Sequence, residues 1–128
     1  MMSFPFEISE VHAGFSEVKG TLRLEDEFLV IEFQTITLGL YKRPAETIKI
    51  EFAALADVKI EKRIFRDRVL IRPRTRRLLE AVPGKHVGEV RLKVWRRYRP
   101  SVTGLVDEVQ YQIRKQRRRR RERQEDAG

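Results

Sequence analysis

Hydrophobic and polar positions alternate in short segments along most of this chain, and the period changes only near its C-terminal end. Residues 18–24 and 28–33 alternate with period two and flank the polar turn Glu25-Asp26-Glu27, a pattern that predicts a β-hairpin. Five further apolar segments have the same character and predict strands at 48–52, 58–64, 69–71, 78–82 and 90–94. Between them, Lys42-Arg43-Pro44 predicts a loop, Ala53–Ala56 a helical turn or a bend, and Arg66-Asp67-Arg68 a turn.

The helical period begins after Pro100. Ser101 is a candidate cap for the first turn, because its hydroxyl can accept a hydrogen bond from a backbone N–H. The apolar residues that follow fall on one helical stripe: Val102, Leu105, Val106, Val109 and Ile113. The predicted helix spans residues 101–113. An amphipathic helix that follows a series of strands is expected to cover one open end of a small sheet structure.

The order of these elements predicts a mainly β fold, a seven-stranded antiparallel sandwich or barrel capped by one C-terminal amphipathic helix. We divide the chain into an N-terminal segment at 1–13, a domain at 14–113 and a basic tail at 114–128. The tail is either an extension of the helix or a disordered arm. The tripeptide Gly39–Tyr41 is a candidate exposed edge through which two copies of the chain would pair.

Length and composition favour a single small intracellular domain. The 128 residues include no cysteine, which excludes disulfides and thiolate chemistry and suits a reducing compartment. The first 15 residues hold no basic residue and no long apolar run, so no secretory signal is expected. No stretch approaches the length of a membrane-spanning helix. We therefore expect a cytoplasmic protein, with a peripheral membrane location as a further expectation.

Positive charge is concentrated in two regions. Residues 59–77 hold nine basic and two acidic side chains, whereas residues 1–58 carry a net charge of −5 within a total of +9. Such asymmetry indicates an acidic partner, and guanidinium groups suit phosphate or carboxylate. The candidate ligand-binding residues are Lys59, Lys62, Arg63, Arg66, Arg68, Arg72, Arg74, Arg76 and Arg77. The alternative interpretation is a solvated strand face whose charges prevent aggregation.

The second basic region is the tail. Its cations are Arg114, Lys115, Arg117, Arg118, Arg119, Arg120 and Arg121, followed by Arg123. They either remain solvated or bind anionic lipid or nucleic acid. Trp95 and Tyr98, beside Arg96, Arg97 and Arg99, would stack on bases in the nucleic-acid interpretation. The competing interpretation is a strand end with cation–π contacts beside the helix.

Residues suited to catalysis are sparse. His12 and His86 are the only histidines, and neither has a metal-ligand spacing to another histidine or a carboxylate. The glycines around Lys85-His86-Val87 do not form a strand-to-helix phosphate loop. We expect neither an enzyme nor a cofactor, and no metal site.

The run Gly20 to Phe33, then Ile48 to Ile60, then Val90 to Trp95 ahead of the Ser101 helix resembles the bacterial pleckstrin homology (PH)-like and GRAM-like proteins. The resemblance covers about Gly14 to Ile113 and rests on element order and pattern. It implies a non-catalytic module that binds phosphoinositides, peptides or proteins. Phosphoinositide-binding members carry a basic cluster at the first hairpin. Here that hairpin has Lys19 and Arg23, but its turn is acidic, so the fold is expected without that lipid site.

The expected function is a binding or scaffold module of the bacterial cytoplasm. Its partner would be an acidic protein surface or an anionic membrane, met by the basic hairpin and the tail. The alternative is a nucleic-acid-binding protein that uses the same residues. A third expectation is assembly into a homo-oligomer.

Overall fold

Eight antiparallel strands and one long helix make up the fold in the computed structural model, which describes residues 3–11, 14–83 and 88–127. The strands are β1 (Ser3–Val11), β2 (Ser16–Glu25), β3 (Phe28–Thr37), β4 (Tyr41–Lys42), β5 (Glu46–Glu51), β6 (Leu55–Glu61), β7 (Arg66–Pro73) and β8 (Val90–Trp95). The helix is α1 (Arg99–Ala127), and short 3₁₀ turns lie at Phe52–Ala54, Arg76–Leu79 and Arg96–Tyr98. The predicted mainly β class with one C-terminal helix is confirmed.

All strands belong to one sheet with the order β4-β3-β2-β1-β8-β7-β6. The strand β5 also pairs with β3, along Phe28–Phe33, while β4 pairs with the following part of the same strand. The interruption between β4 and β5 contains Pro44, which has no N–H for a ladder hydrogen bond. The sheet therefore has seven positions. Among the described residues the sheet is not closed into a barrel, because β4 and β5 form one edge and β6 forms the other.

The strand β1 joins the two halves of the sheet. It pairs with β2 from Ser3↔Arg23 to Val11↔Ser16, and with β8 at Glu7↔Lys93. The prediction left residues 1–13 outside the domain, whereas Phe4 and Phe6 of β1 are buried in the core. Pro5 is compatible with this inner strand because it pairs with Thr21 of β2 at a position where no pairing with β8 is formed.

The core lies between the curved sheet and α1. The predicted helical stripe is confirmed, since all five of its residues from Val102 to Ile113 are buried. They pack against alternate residues of the strands, among them Leu22, Ile31, Val58, Val69 and Leu92, which are fully buried. The helix continues to Ala127 over 29 residues, about 43 Å at 1.5 Å per residue. The tail is therefore helical as far as Ala127.

Three local predictions are wrong. Residues 78–82 do not form a strand: Leu79 and Val82 are buried three positions apart, in and after a 3₁₀ turn. Ser101 is not the helix cap, because α1 begins at Arg99. The residues Arg66–Arg68 are not a turn but the start of β7, and the turn precedes them at 62–65.

A close approach of three strands requires glycine at position 20. A Cβ atom there would lie 2.1 Å from the Glu32 carbonyl oxygen, 2.8 Å from Cζ of Phe6 and 2.9 Å from the Phe33 Cα. Gly20→Ala is therefore expected to lower the free energy of unfolding by about 2 kcal/mol or more, measured by urea denaturation. Gly39→Ala is the control: it meets open space, so only the strain of its φ of +69° remains, about 1 to 2 kcal/mol, and the loss at Gly20 should exceed it. An unchanged Gly20→Ala variant would contradict this packing.

Candidate functional site

The hairpin formed by β6 and β7 exposes two large apolar side chains at its tip. The connection 62–65 reads Lys-Arg-Ile-Phe, and Ile64 and Phe65 are 75% and 81% exposed. Exposure of a single apolar residue is ordinary. Two adjacent exposed apolar residues between Arg63 and Arg66 form a small apolar patch flanked by positive charge. We call residues 62–65 the hairpin tip.

The backbone of the hairpin tip is held by a buried ion pair. Asp67 is fully buried, and both of its carboxylate oxygens accept from Arg99, at 2.8 Å from Nε and 2.7 Å from Nη2. The Arg63 backbone N–H donates to Asp67 at 3.1 Å, and the Arg63 carbonyl accepts from Arg99 at 3.3 Å. Arg96 donates to the Ile64 carbonyl at 3.4 Å. Side chains from the start of α1 and from the 3₁₀ turn before it therefore hold the backbone of the tip, and the apolar side chains of the tip remain in solvent.

The protonation of Asp67 follows from these contacts. The hydrogen bonds from Arg99 lower the pKa of the Asp67 carboxyl below its usual value, and they outweigh the opposing effect of burial. The backbone N–H of Arg63 acts in the same direction. The same contact raises the pKa of Arg99. Both groups are thus charged at neutral pH, and the pair is a bidentate contact of the strong kind.

A groove open to solvent, of about 510 Å³, lies beside the tip. Its lining is Arg63, Ile64, Phe65, Arg66, Arg68 and Lys93. Two carboxylates neutralise part of this charge: Glu61 accepts from Nε of Arg63 at 2.6 Å, and Glu7 of β1 accepts from Arg66 at 2.9 Å. The Arg66 guanidinium also lies 3.9 Å from the ring centroid of Trp95, a cation–π contact.

The nine candidate cations of the hairpin do not form one surface. Lys62, Arg63, Arg66 and Arg68 lie at or next to the tip. Lys59 and Arg72 face outward further along the strands and have acidic neighbours, Asp57 at 3.5 Å and Glu89 at 3.6 Å. Arg74, Arg76 and Arg77 follow the other end of β7, about 25 Å from the tip for eight strand residues. Arg72 and Arg74 do not lie on one face of a strand, since β7 ends at Pro73.

The tail lies away from the hairpin tip. Arg99 contacts the tip, and Arg117 is 18 residues further along α1, about 27 Å. Arg114 and Arg117 instead line a second groove with Arg72 and Asp57. The remaining tail cations Lys115, Arg118, Arg119, Arg121 and Arg123 are exposed, and Arg120 is half-buried.

Two of the tail arginines protect the free edge of the sheet. The outer edge of β6 presents unpaired carbonyls, and α1 side chains donate to them: Gln110 to Val58 at 2.8 Å and Arg117 to Ala56 at 2.8 Å. Arg120 donates to the carbonyl of Ala53 in the preceding 3₁₀ turn. Edge carbonyls satisfied by side chains are unavailable to another strand, so part of the basic tail has a structural role.

Removal of these edge contacts should weaken the fold. Arg117→Ala with Arg120→Ala is expected to lower the free energy of unfolding by about 1 to 2 kcal/mol, because two hydrogen bonds to carbonyl groups are lost. Arg118→Ala with Arg119→Ala removes the same charge from exposed positions and should change it by less than about 0.5 kcal/mol. Chemical denaturation of both variants measures the difference. Equal losses in the two variants would mean that helix charge, rather than edge contact, matters.

The cations of the hairpin around Glu25–Glu27 are engaged by carboxylates. This hairpin is formed by β2 and β3 and is the second of the sheet, because β1 and β2 form the first. Arg23 donates to Glu32 at 2.7 Å and to Glu25 at 3.3 Å, and these contacts raise its pKa. Lys19 lies 3.8 Å from Glu17. This arrangement agrees with the acidic turn in leaving the β2–β3 hairpin unsuited to an anion.

Trp95 and Tyr98 are placed as the cation–π interpretation predicts. Arg66 lies over Trp95, and Arg97 lies 5.0 Å from the ring centroid of Tyr98. One face of Trp95 is therefore covered, although 43% of the residue remains exposed.

A second exposed apolar patch lies elsewhere on the sheet. It consists of Phe15, from the turn between β1 and β2, Leu38 and Leu40, from the turn between β3 and β4, and Tyr41 of β4. The predicted edge at Gly39–Tyr41 falls here, and β4 is only two residues long.

Sequence reasoning missed Ile64, Phe65 and Lys93 as functional candidates. The signal for the first two was present, because Ile64-Phe65 breaks the alternation that runs through Val58 and Ile60 and is bracketed by Lys62-Arg63 and Arg66. Lys93 is brought to the groove by the pairing of β7 with β8.

His12 and His86, with the segment 84–87, lie outside the described residues.

Comparison with known protein families, with characterised proteins and with solved structures finds no match to this chain. Within the described residues, the one helix is too polar to cross a membrane.

Proposed function

We propose that this protein is a non-catalytic module that binds the surface of anionic membranes through the hairpin tip. The observation that carries the proposal is the combination of Ile64 and Phe65, both largely exposed, with the basic groove behind them. A membrane has an anionic headgroup layer outside an apolar layer. The apolar tip would enter the deeper, apolar layer while the groove cations contact the headgroups.

The backbone of the tip is rigidly supported. This favours a binding function over an incidental exposure of two apolar side chains. The ion pair between Asp67 and Arg99 and the hydrogen bonds to the Arg63 and Ile64 carbonyls fix the loop before any ligand arrives. A preformed tip loses little conformational entropy on binding. An acidic protein surface would use the cations equally well, but it offers no general reason for two exposed apolar side chains at the leading point.

The arrangement of the elements supports a PH-like assignment of the domain. Seven sheet positions in antiparallel order and one C-terminal helix packed on the sheet are what the resemblance implies. The proposed membrane contact uses the β6–β7 hairpin, since the cations of the β2–β3 hairpin are paired with Glu25, Glu32 and Glu17.

Co-sedimentation with vesicles across a salt series tests the proposal. The full chain should bind vesicles of phosphatidylcholine and phosphatidylglycerol and not vesicles of phosphatidylcholine alone. Binding should weaken as salt rises, because each surface cation contributes about 1 kcal/mol of screened attraction. Failure to bind anionic vesicles at low salt would end the membrane proposal.

A second candidate function rests on the groove formed by Arg72, Arg114 and Arg117, which continues into the exposed cations of α1. We propose sequence-independent nucleic-acid binding as the alternative for this face. A gel shift that is lost when Arg114, Arg118 and Arg121 are replaced by glutamine, but kept when Ile64 and Phe65 are replaced by serine, would support it. Its affinity should fall steeply with salt.

A further inference from the structure

Two cations face each other across the groove, and neither has an ion-paired partner in the part of the chain that the structure describes. Arg68 of β7 and Lys93 of β8 are directly opposite in register. Both point outward, because their neighbours Asp67, Val69, Leu92 and Val94 are buried on the other face. Like charges directly opposite on adjacent strands destabilise a sheet. The pair therefore costs stability unless something else compensates it.

The nearby carboxylates are engaged by other cations. Glu61, the other cross-strand neighbour of Arg68, accepts from Arg63, and Glu7, which is in register with Lys93, accepts from Arg66. Lys93 donates to the hydroxyl of Ser9. Among the residues that the structure describes, the Arg68 side chain forms no hydrogen bond and no ion pair. Within the described residues, two of the four groove cations thus have no ion-paired carboxylate, although the charge of Arg68 adds to the hydrogen bond from Arg63 in lowering the pKa of Glu61.

We propose that Arg68 and Lys93 hold a phosphate monoester, which deepens the membrane proposal by naming the headgroup chemistry and rests on it for the lipid source. A monoester presents three terminal oxygens and a charge between −1 and −2. The Arg68 fork can bind two of these oxygens, and the Lys93 ammonium can serve as a point charge for the third. Ile64 and Phe65 line the same groove, next to where the ester substituent of a lipid would leave it.

A comparison of vesicles tests the phosphate site separately from general anionic binding. Phosphatidylcholine vesicles containing either phosphatidic acid or phosphatidylglycerol are adjusted to equal surface potential. The full chain should bind the phosphatidic acid vesicles about ten-fold more tightly, since charge-assisted hydrogen bonds to a monoester are gained. Arg68→Gln with Lys93→Gln should bind both vesicles equally. The matched control, Lys49→Gln with Arg91→Gln, removes one lysine and one arginine from exposed positions of the same sheet and should keep the preference.

A titration with inorganic phosphate tests the site in the absence of a membrane. Sulfate at the same ionic strength is the comparison anion. Amide resonances of residues around Arg68 and Lys93 should shift with phosphate and saturate, and the shifts should be absent in the Arg68→Gln, Lys93→Gln variant. Equal binding of both vesicle types by the unmodified chain overturns the phosphate site and leaves the membrane proposal standing. If no vesicle binds, the membrane proposal fails. Saturable phosphate shifts then support a site for soluble phosphate esters, and their absence overturns the site as well.

Discussion

Replacing Ile64 and Phe65 together by serine is expected to weaken binding to anionic vesicles by about two orders of magnitude. Each of these side chains is about three-quarters exposed or more in the free protein. Their transfer out of water on binding is worth about 1.5 kcal/mol or more apiece, and about 3 kcal/mol corresponds to a hundred-fold change in affinity. Stability should change by less than about 0.5 kcal/mol, because exposed side chains contribute little to the fold.

The second apolar patch provides the matched control. Leu40→Ser with Tyr41→Ser removes apolar side chains that are 79% and 68% exposed, so the loss of exposed apolar surface is similar. Vesicle binding of this variant should equal that of the unmodified chain. The opposite pattern, with binding lost at positions 40 and 41 and kept at 64 and 65, would move the membrane face to the other patch.

Removing the buried carboxylate of Asp67 is expected to have the largest effect on stability. Asp67→Asn should lower the free energy of unfolding by about 3 kcal/mol, because Arg99 loses its bidentate partner while remaining partly buried. Asp57→Asn is the control: its ion pair with Lys59 is exposed and should contribute less than about 1 kcal/mol. Urea denaturation at neutral pH distinguishes the two. A cost of less than about 1 kcal/mol for Asp67→Asn would contradict the role of this ion pair.

The same ion pair predicts a specific dependence of stability on pH. The pKa of Asp67 is lower in the folded protein than in the unfolded chain, where an aspartate titrates near about 3.9. Its contribution is therefore complete above about pH 5 and is lost as pH falls from there toward the lowered folded value. Stability measured between about pH 2 and pH 5 should fall less steeply for Asp67→Asn than for the unmodified chain. Identical slopes would mean that Asp67 is not held ionised.

Much of the fold could be predicted because it follows from local periodicity. The stripe from Val102 to Ile113 and the hairpin around Glu25–Glu27 each lie within one continuous segment. The failures have a different cause. Leu79 and Val82 belong to a short apolar run, whose spacing does not distinguish a strand from a helical turn.

Asp67 illustrates how tertiary contacts override local preference. Aspartate between two arginines is typical of an exposed turn, whereas burial of this carboxylate is made favourable chiefly by Arg99, 32 residues away, with the backbone N–H of Arg63. The strand β1 was missed because Pro5 and the terminal position argue against an inner strand, although Phe4, Phe6 and Ile8 alternate. The compensating feature is the limited pairing with β8, which a sequence does not display.

The candidate site was recognisable only in outline. The basic character of residues 59–77 is plain from the sequence, but which cations are neutralised depends on contacts such as that of Arg66 with Glu7, 59 positions apart. The same holds for Arg117 and Arg120, whose hydrogen bonds to the carbonyls of Ala56 and Ala53 join positions more than 60 residues apart. Charge composition identifies a surface of this kind, and cross-strand register decides which part of it is free.

The most direct test of the membrane proposal is to measure the depth of the hairpin tip in a bilayer. The chain has no cysteine, so Phe65→Cys and Leu40→Cys each provide a single attachment point for an environment-sensitive fluorophore. With anionic vesicles, the label at position 65 should shift to the blue and become protected from an aqueous quencher, while the label at position 40 should remain as in water. A label at position 65 that stays fully accessible to the quencher while the protein is bound would contradict insertion of the tip.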